Sequence, residues 1–194
     1  MIALNESTAE LFQKLNLPED YSTQPLQALE AVESRYTRDL KVNLANALAS
    51  DHLSEKETAL LALAIAVNEK NKTLTSSFEK LSKEKEAGDE EIAEAIACAS
   101  LLASNNVLYR FRHFTKKDRY NQLPARIKMN IMMKPVLGKE FFELISLAVS
   151  AVNGCEMCVA SHEASLIELG ASEERIFDAV RLASVVTSLG KIFF

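Results

Sequence analysis

The chain has 194 residues, of which 48% are hydrophobic and 25% are charged, enough for one substantial core or two small packed halves. Only five glycines and four prolines are present, which argues against a turn-rich β architecture and favours long helices. The net charge of −5 weighs against nucleic acid and anionic membranes as partners, because phosphate binding requires clustered lysine and arginine.

Hydrophobic periodicity near 3.6 residues predicts a series of helices along the chain. Ser54 followed by Glu57 forms a capping-box pattern, Ser172 supplies a second cap, and Gly170 is placed to end the preceding helix. The polar stretch 115–124 is predicted to be a connecting loop. The predicted helical segments are 5–15, 25–49, 54–70, 73–85, 89–110, 122–132, 139–152, 155–169 and 173–190.

The N-terminal residues do not resemble a secretion signal, because no basic stretch precedes an apolar run of about 7–15 residues. The longest apolar run, Ala59 to Val67, has nine residues, which is about half of the length that a membrane-spanning helix needs. We therefore expect a cytoplasmic protein with no membrane partner.

A self-comparison predicts two copies of one helical unit. When the chain is shifted by 84 residues, 53–104 lies over 137–188 without a gap, and fourteen positions are identical. In the first copy an asparagine and a leucine occupy the places of Cys155 and Cys158. Only the second copy therefore carries the side chains expected to be reactive.

The segment from Asn153 to Cys158 is the strongest candidate for chemistry. Closely spaced cysteines in a reducing compartment are more often redox-active or metal-binding than structural. Asn153 and Gly154 are expected to break one helix and cap the next, which places both Cys155 and Cys158 in its first turn. The helix dipole there lowers a thiol pKa from about 8.5. A tightened first turn would let the pair cycle between dithiol and disulfide.

His162 follows Cys158 by four residues and Cys155 by seven, so the three side chains are predicted to share one helix face. An imidazole, with a pKa of about 6.5, can take the thiol proton and return it to a leaving oxygen. We therefore assign Cys158 as the attacking thiolate, which becomes a sulfenic acid, and Cys155 as the thiol that resolves it.

Zinc binding is the alternative for the cysteine pair. Four ligands are needed, and only Cys98, His52 and His113 remain as further candidates. Cys98 lies in an apolar stripe and is more typical of a buried small hydrophobic residue. The residue pattern therefore favours redox chemistry over a metal site without removing the alternative.

Together, Glu143, Cys155, Cys158 and His162 resemble the signature of the alkyl hydroperoxide reductase AhpD family, within the carboxymuconolactone decarboxylase-like superfamily. Spacing alone would predict Glu143 to be a solvent-exposed glutamate on the polar side of its helix. The resemblance covers nearly everything from residue 35 onward and includes the segments TRDLKVNLANAL, NNVLYRFRHF, RIKMNIM, FELISLAVSAVNGCEMC and SHEASL.

The resemblance implies an all-α, AhpD-like fold of two related helical halves that assembles as a homo-oligomer, typically a trimer. The predicted divisions are a helical N-terminal extension at 1–34, a first half without reactive residues at 35–114, a connecting loop at 115–124 and a second half with the reactive site at 125–194.

The resemblance also implies an antioxidant peroxidase that reduces organic hydroperoxides and regenerates a partner peroxiredoxin, AhpC. Electrons in the family come from a lipoyl group (dihydrolipoamide) of an acyltransferase, supplied by dihydrolipoamide dehydrogenase, and no bound cofactor or metal is expected. By resemblance Cys158 forms the sulfenic acid, and Cys155 resolves it and can form a mixed disulfide with the partner. His162 and Glu143 correspond to a proton relay.

Met157 departs from the family pattern, in which a histidine precedes the second cysteine. A thioether cannot relay a proton, so water or Glu156 would have to replace that histidine, or its contribution is missing. The alternative hypothesis is therefore a redox adaptor or disulfide reductase that serves a peroxiredoxin or a lipoyl domain and has weak peroxidase activity of its own.

Overall fold

The chain folds into an all-α structure, which confirms the predicted fold class. The structure is a computed structural model that describes residues 5–194, and within that range it contains ten α-helices and no β-strand. A short 3₁₀ helix spans Asn130–Met132. The α-helices are α1 (Glu6–Lys14), α2 (Gln24–Ala31), α3 (Tyr36–Leu48), α4 (Glu55–Asn68), α5 (Lys72–Glu84), α6 (Asp89–Thr115), α7 (Asp118–Gln122), α8 (Lys139–Val152), α9 (Glu156–Glu168) and α10 (Glu173–Leu189).

Helices α4 and α8 form the centre of the core. All residues of 58–66 in α4 and of 141–150 in α8 are buried. Because these helices are covered on every side, each needs several neighbours. α4 packs against α5, α6 and α10, α8 packs against α6, α9 and α10, and the two also touch each other. Each fully buried leucine or phenylalanine in them contributes about 1.5–3 kcal/mol of apolar burial.

The helix bounds repeat at the same shift of 84 residues as the sequence. The shift places the first and last residues of α4 on those of α8, those of α5 on those of α9, and the start of α6 on that of α10. The turn between the first two helices of each set contains a left-handed residue at the equivalent position, Lys70 (φ 57°) and Gly154 (φ 67°). The division into halves at 115–124 stays a prediction.

Two sequence-based helix predictions are wrong. The single helix expected over 25–49 is two helices, because Glu33 adopts a left-handed conformation (φ 48°) and ends α2. The helix expected over 122–132 is absent, since Leu123 is extended before Pro124, which disfavours helical backbone at the preceding residue. The short helix α7 lies instead inside the stretch predicted to be a loop.

The N-terminal helices pack against the C-terminal end of the chain. Thr23 Oγ1 donates a hydrogen bond to the backbone oxygen of Ile192 at 2.6 Å. The rings of Phe12 and Phe193 meet edge to face with centroids 6.3 Å apart. Of the extension predicted at 1–34, residues 1–4 lie outside the described range.

Helix α6 organises the side of the molecule that carries the site. By length and composition alone it could span a membrane, but it packs against α4, α8 and α9 as a core helix does. Its buried Glu94 accepts hydrogen bonds from the backbone N–H groups of Val136 (2.9 Å) and Leu137 (2.6 Å), just before α8. This carboxylate therefore anchors the loop that leads into α8.

Candidate active site

The turn between α8 and α9 positions both cysteines. α8 ends at Val152, Asn153 is its C-cap, and Gly154 adopts a left-handed conformation that glycine tolerates without strain. Cys155 is then the N-cap of α9, and Cys158 lies in its first turn. The expectation that Asn153 or Gly154 caps α9 is therefore wrong, because both residues are used to end α8.

Cys155 and Cys158 are joined by a disulfide, which confirms the predicted pairing. Their Cα atoms are 5.3 Å apart, inside the range that disulfides accept. Cys155 makes no capping hydrogen bond to α9. At the equivalent position in the first copy, Asn71 Oδ1 accepts a hydrogen bond from the backbone N–H of Leu74 at 2.9 Å. The second copy thus has a disulfide-bonded cysteine where the first has a structural cap.

A chain of polar contacts joins His162 to Glu143 and Lys139. His162 Nδ1 lies 2.6 Å from Glu143 Oε2, and Lys139 Nζ lies 2.8 Å from Glu143 Oε1. Burial raises the pKa of Glu143, but the hydrogen bonds from His162 and Lys139 outweigh it and hold the pKa below its ordinary value. Glu143 is therefore an anion that orients the imidazole, and Nε2 is the ring nitrogen left for proton exchange.

Glu143 is not exposed to solvent, so the expectation from its spacing is wrong. Only 4% of the residue is exposed, and Ser146 and Ser150 on the same stripe are fully buried. This stripe faces other helices rather than water, because α8 is surrounded. Ser146 Oγ, for example, lies 3.5 Å from the Cys98 sulfur on α6.

Cys158 and His162 line one cavity of about 310 Å³. Helices α6 and α9 and the segment before α8 form its walls. Cys158 is 6% exposed, so the cavity gives this cysteine only limited contact with solvent. The lining residues are Leu102, Asn105, Tyr109, Met129, Met132, Met157, Cys158, Ser161 and His162.

Cys155 does not line that cavity, although the sequence predicted that it would share one face with Cys158 and His162. It borders a separate, more open groove of about 510 Å³, although only 1% of the residue is exposed. The difference arises because Cys155 precedes the helix, where the 3.6-residue periodicity no longer sets its direction. The groove is lined by Ala151, Gly154, Cys155, Glu156, Val159, Ala160 and Glu163.

A buried amide network holds the turn that carries the cysteines. Asn153 Nδ2 donates to Asn106 Oδ1 at 2.9 Å, and Asn106 Nδ2 donates to Ser150 Oγ at 2.9 Å. Asn153 also exchanges hydrogen bonds of 3.0 Å with Asn68 on α4. Arg110 donates to the backbone oxygen of Asn153. These contacts fix the end of α8 and therefore the position of Cys155.

Met157 and Glu156 take up different positions around the disulfide. Met157, 37% exposed, lines the cavity with Cys158, whereas Glu156 lines the groove with Cys155. Glu156 Oε2 lies 3.2 Å from His113 Nε2. Water and Glu156 are the two candidates to replace the histidine of the family pattern. Glu156 lies on the Cys155 side of the disulfide and pairs with the imidazole of His113.

Cys98 is separate from the cysteine pair. It is completely buried on α6, and burial raises the pKa of its thiol to about 12. Within residues 5–194, no group of three or more His, Cys, Asp or Glu side chains is arranged to hold a metal ion. The described residues therefore contain no cluster of side chains that supports the alternative of zinc binding.

Several residues of the site are not among those predicted from the sequence, although two sequence signals for them are present. Asn105 and Asn106 stand in the middle of a long apolar helix, where asparagine has low helix propensity. A polar stripe through the otherwise apolar α8 signals partners on other helices. The helical periodicity of 122–132 does not indicate that Met129 or Met132 lines the cavity, because the structure has only the short 3₁₀ helix Asn130–Met132 in this part of the segment.

Comparison with known proteins agrees with this geometry. The carboxymuconolactone decarboxylase family matches residues 119–191, which include the whole α8–α9 site. The chain is 40% identical over 164 residues to an alkyl hydroperoxide reductase AhpD of Anaeromyxobacter dehalogenans (strain 2CP-C), covering 83% of this chain and 88% of that one. It is 41% identical over 162 residues to the AhpD of Coxiella burnetii (strain RSA 493 / Nine Mile phase I), covering 81% and 90%. The AhpD of Maricaulis maris (strain MCS10) is 38% identical over 169 residues, covering 86% and 96%.

These relatives match the chain across both sets of helices and not only at the cysteine pair. Identity near 40% over more than four-fifths of the chain, together with the helical fold and the disulfide, establishes the family of the chain. The chain belongs to the AhpD family of alkyl hydroperoxide reductases.

Proposed function

We propose that the protein is an antioxidant thiol peroxidase that reduces organic hydroperoxides through Cys158. The observation that carries the proposal is the cavity shared by Cys158 and His162, with buried Glu143 hydrogen-bonded to the imidazole and Cys155 within bonding distance of Cys158. This arrangement combines a nucleophile, a proton carrier and a resolving thiol in two turns of helix. Membership of the AhpD family supports the same reaction class.

In the first step the Cys158 thiolate attacks the distal oxygen of the hydroperoxide. An S–O bond forms while the O–O bond breaks, so the sulfur is oxidised to a sulfenic acid and the peroxide is reduced to an alcohol. His162 takes the thiol proton and returns it to the leaving alkoxide oxygen. Glu143 stabilises the imidazolium form that holds this proton.

In the second step the Cys155 thiol attacks the sulfenic sulfur of Cys158. The disulfide forms and water leaves, so two thiols and one hydroperoxide give one disulfide, one alcohol and one water. The Cys155–Cys158 disulfide corresponds to the product of this step.

A dithiol must then reduce the disulfide, and we propose the lipoyl group of an acyltransferase as its source, with dihydrolipoamide dehydrogenase upstream. Attack on Cys155 through the groove releases the Cys158 thiolate into the cavity that contains His162. The reduced pair would also pass electrons to an AhpC-type peroxiredoxin through a mixed disulfide at Cys155.

A second candidate function is a redox adaptor that reduces a peroxiredoxin or accepts electrons from a lipoyl domain but reduces peroxide slowly. Met157 favours it, since a thioether lines the cavity beside Cys158 and cannot carry a proton. Peroxide consumption by the protein in the presence of a dithiol electron donor, without a peroxiredoxin, supports the peroxidase. Consumption that appears only after a peroxiredoxin is added supports the adaptor.

We further propose that the protein assembles with copies of itself, as a trimer. An exposed apolar stripe on α6 supports self-association, since Val107, Phe111 and Phe114 are 61%, 45% and 68% exposed and recur at helical spacing. Analytical ultracentrifugation measures the state directly. A monomer at micromolar concentration would contradict this proposal.

The central experiment measures hydroperoxide consumption in an assay coupled to dihydrolipoamide. Cys158→Ser should abolish consumption, because an alcohol is a far poorer nucleophile than a thiolate. Cys98→Ala is the matched control, since Cys98 is buried away from the pair, and it should retain activity. Full activity in Cys158→Ser would reject the proposed nucleophile.

A further inference from the structure

The cavity beside Cys158 has an unusual wall. The chain has five methionines, and three of them, Met129, Met132 and Met157, line this one cavity together with Leu102 and an aromatic ring. Methionine is flexible and polarizable, so such a wall adapts to apolar groups of different shapes. The reaction at sulfur requires none of these side chains, so they are free to serve substrate binding.

Asn105 is a polar side chain in this wall whose hydrogen-bonding groups are poorly satisfied within the protein. The residue is 5% exposed, and within residues 5–194 its Oδ1 atom has no hydrogen-bond partner. Its Nδ2 donates only to the Met129 sulfur at 3.2 Å, and a thioether is a weak acceptor. A buried amide with such poor partners costs free energy in the ligand-free protein, which suggests that a ligand supplies a better partner.

The next residue, Asn106, shows what a structural asparagine looks like in this helix. It is 1% exposed, its Nδ2 donates to Ser150 Oγ at 2.9 Å, and its Oδ1 accepts from Asn153 Nδ2 at 2.9 Å. Asn106 is therefore satisfied within the protein. Asn105 is not, and Asn105 is the one that lines the cavity with Cys158 and His162.

We propose that this cavity binds the hydroperoxide with its O–O–H group against the Asn105 amide and its alkyl group against Met129, Met132 and Met157. The inference rests on the proposed peroxidase function and names the residues that bind and select the substrate. Asn105 holds the peroxide group in front of Cys158, and the methionines favour alkyl hydroperoxides over hydrogen peroxide.

The chemistry of the two partners matches. A hydroperoxide has one O–H donor and oxygen acceptors, and the amide of Asn105 has one acceptor and a donor group. Exchanging the Met129 sulfur for a peroxide oxygen gives the Asn105 donor a stronger acceptor. Hydrogen peroxide can make the same amide contacts but has no alkyl group to bury, so the methionine wall contributes only to alkyl substrates.

The test compares kcat/KM for cumene hydroperoxide and hydrogen peroxide in four variants. Asn105→Leu should lower kcat/KM about tenfold or more for both peroxides, because every peroxide uses the amide. Its Tm should stay unchanged or rise, since the variant removes an unpartnered buried amide. Asn106→Leu should lower Tm instead, because it breaks the network at the end of α8.

Met132→Ala should lower kcat/KM for cumene hydroperoxide about tenfold and leave kcat/KM for hydrogen peroxide unchanged. Met133→Ala is the matched control, because Met133 is the neighbouring residue, is 83% exposed and does not line the cavity. It should change neither value. Circular dichroism of each variant shows that the fold is retained.

Different results would contradict the proposed peroxidase activity and the proposed substrate contacts. If the wild-type protein consumes neither peroxide, the proposed peroxidase fails and the inference fails with it. If the wild type consumes both peroxides but Met132→Ala leaves the ratio of the two kcat/KM values unchanged, the methionine wall is wrong. If Asn105→Leu keeps full activity, or loses activity only together with Tm, the substrate contact of Asn105 is wrong.

Discussion

Replacing Glu143 with glutamine tests the proton relay most directly. The substitution keeps the size and shape of the side chain but removes the negative charge that faces His162 Nδ1 at 2.6 Å. A neutral amide still accepts a hydrogen bond from Nδ1–H, so the imidazole keeps its position. What is lost is the electrostatic stabilisation of the imidazolium form, on which the proton transfer at Cys158 depends.

The expected magnitude follows from the burial of this contact. Glu143 is 4% exposed, so solvent screens the interaction little. A hydrogen bond to a charged group contributes about 1.5–3 kcal/mol and one to a neutral group about 0.5–1.5 kcal/mol. Losing the charge but keeping the bond therefore costs about 1–1.5 kcal/mol, which corresponds to a fall of about five- to 13-fold in kcat/KM. KM should change less than kcat, because the carboxylate does not line the substrate cavity.

The assay is hydroperoxide consumption with a saturating dithiol, followed for the wild type and two variants. Glu140→Gln is the matched control, since Glu140 lies one turn earlier on α8 and pairs with Arg175 rather than with His162. That variant should lose some stability but keep its peroxidase activity. Activity of Glu143→Gln within about twofold of the wild type, or equal losses in both variants, would refute the relay.

The same substitution has a pH signature in stability. Because the folded pKa of Glu143 is lowered, its ionised form stabilises the folded state above the ordinary carboxyl value of 4.5, and this stabilisation is lost as pH falls through the folded pKa. Glutamine has no such dependence. The difference in free energy of unfolding between wild type and Glu143→Gln should therefore be largest near neutral pH and shrink below 4.5.

Three further predictions concern other parts of the molecule. In the reduced, folded protein, iodoacetamide at about pH 8 should label two thiols and spare Cys98, because burial raises the pKa of the Cys98 thiol to about 12. Intact mass spectrometry counts the adducts, and a third adduct without denaturant would contradict this prediction. Arg175→Ala should lower the free energy of unfolding in urea by about 2 kcal/mol, since the Arg175 guanidinium joins Glu57 on α4 to Glu140 on α8. An unchanged urea midpoint would show that these ion pairs do not stabilise the fold. Gly154→Ala should cost about 1 kcal/mol, because φ is +67° and no atom lies within 4 Å of the added Cβ; a loss above about 3 kcal/mol would mean that the turn has another constraint.

Local pattern predicted the parts of the site that lie within a few residues of one another. The spacing of Cys155, Cys158 and His162 on one helix start predicted the disulfide, and the disulfide is present. The repeat predicted that α5 would match α9 without reactive residues, and the bounds of these two helices agree. These predictions hold because helix periodicity and turn chemistry depend on neighbouring residues alone.

Other features depended on residues far apart in the chain. The polar stripe of α8 was interpreted as a side that faces water, and the sequence did not identify α6 and α9 as the helices that cover Glu143. The segment 122–132 has apolar residues at helical spacing, yet most of it is irregular and brings Met129 to the cavity. Burial and cavity shape are set by packing between helices, which a one-dimensional pattern does not contain.

The amino-acid sequence by itself indicated the all-α fold, the disulfide pair and the nearby histidine, because composition, helix periodicity and short-range spacing carry these features. It also carried the family resemblance, which extends over most of the chain. Only the tertiary structure decided that Cys158 and His162 share a cavity while Cys155 lines a separate groove. The reason is that α6, more than forty positions earlier in the chain, supplies one wall of the cavity and holds the turn before Cys155 through Asn106.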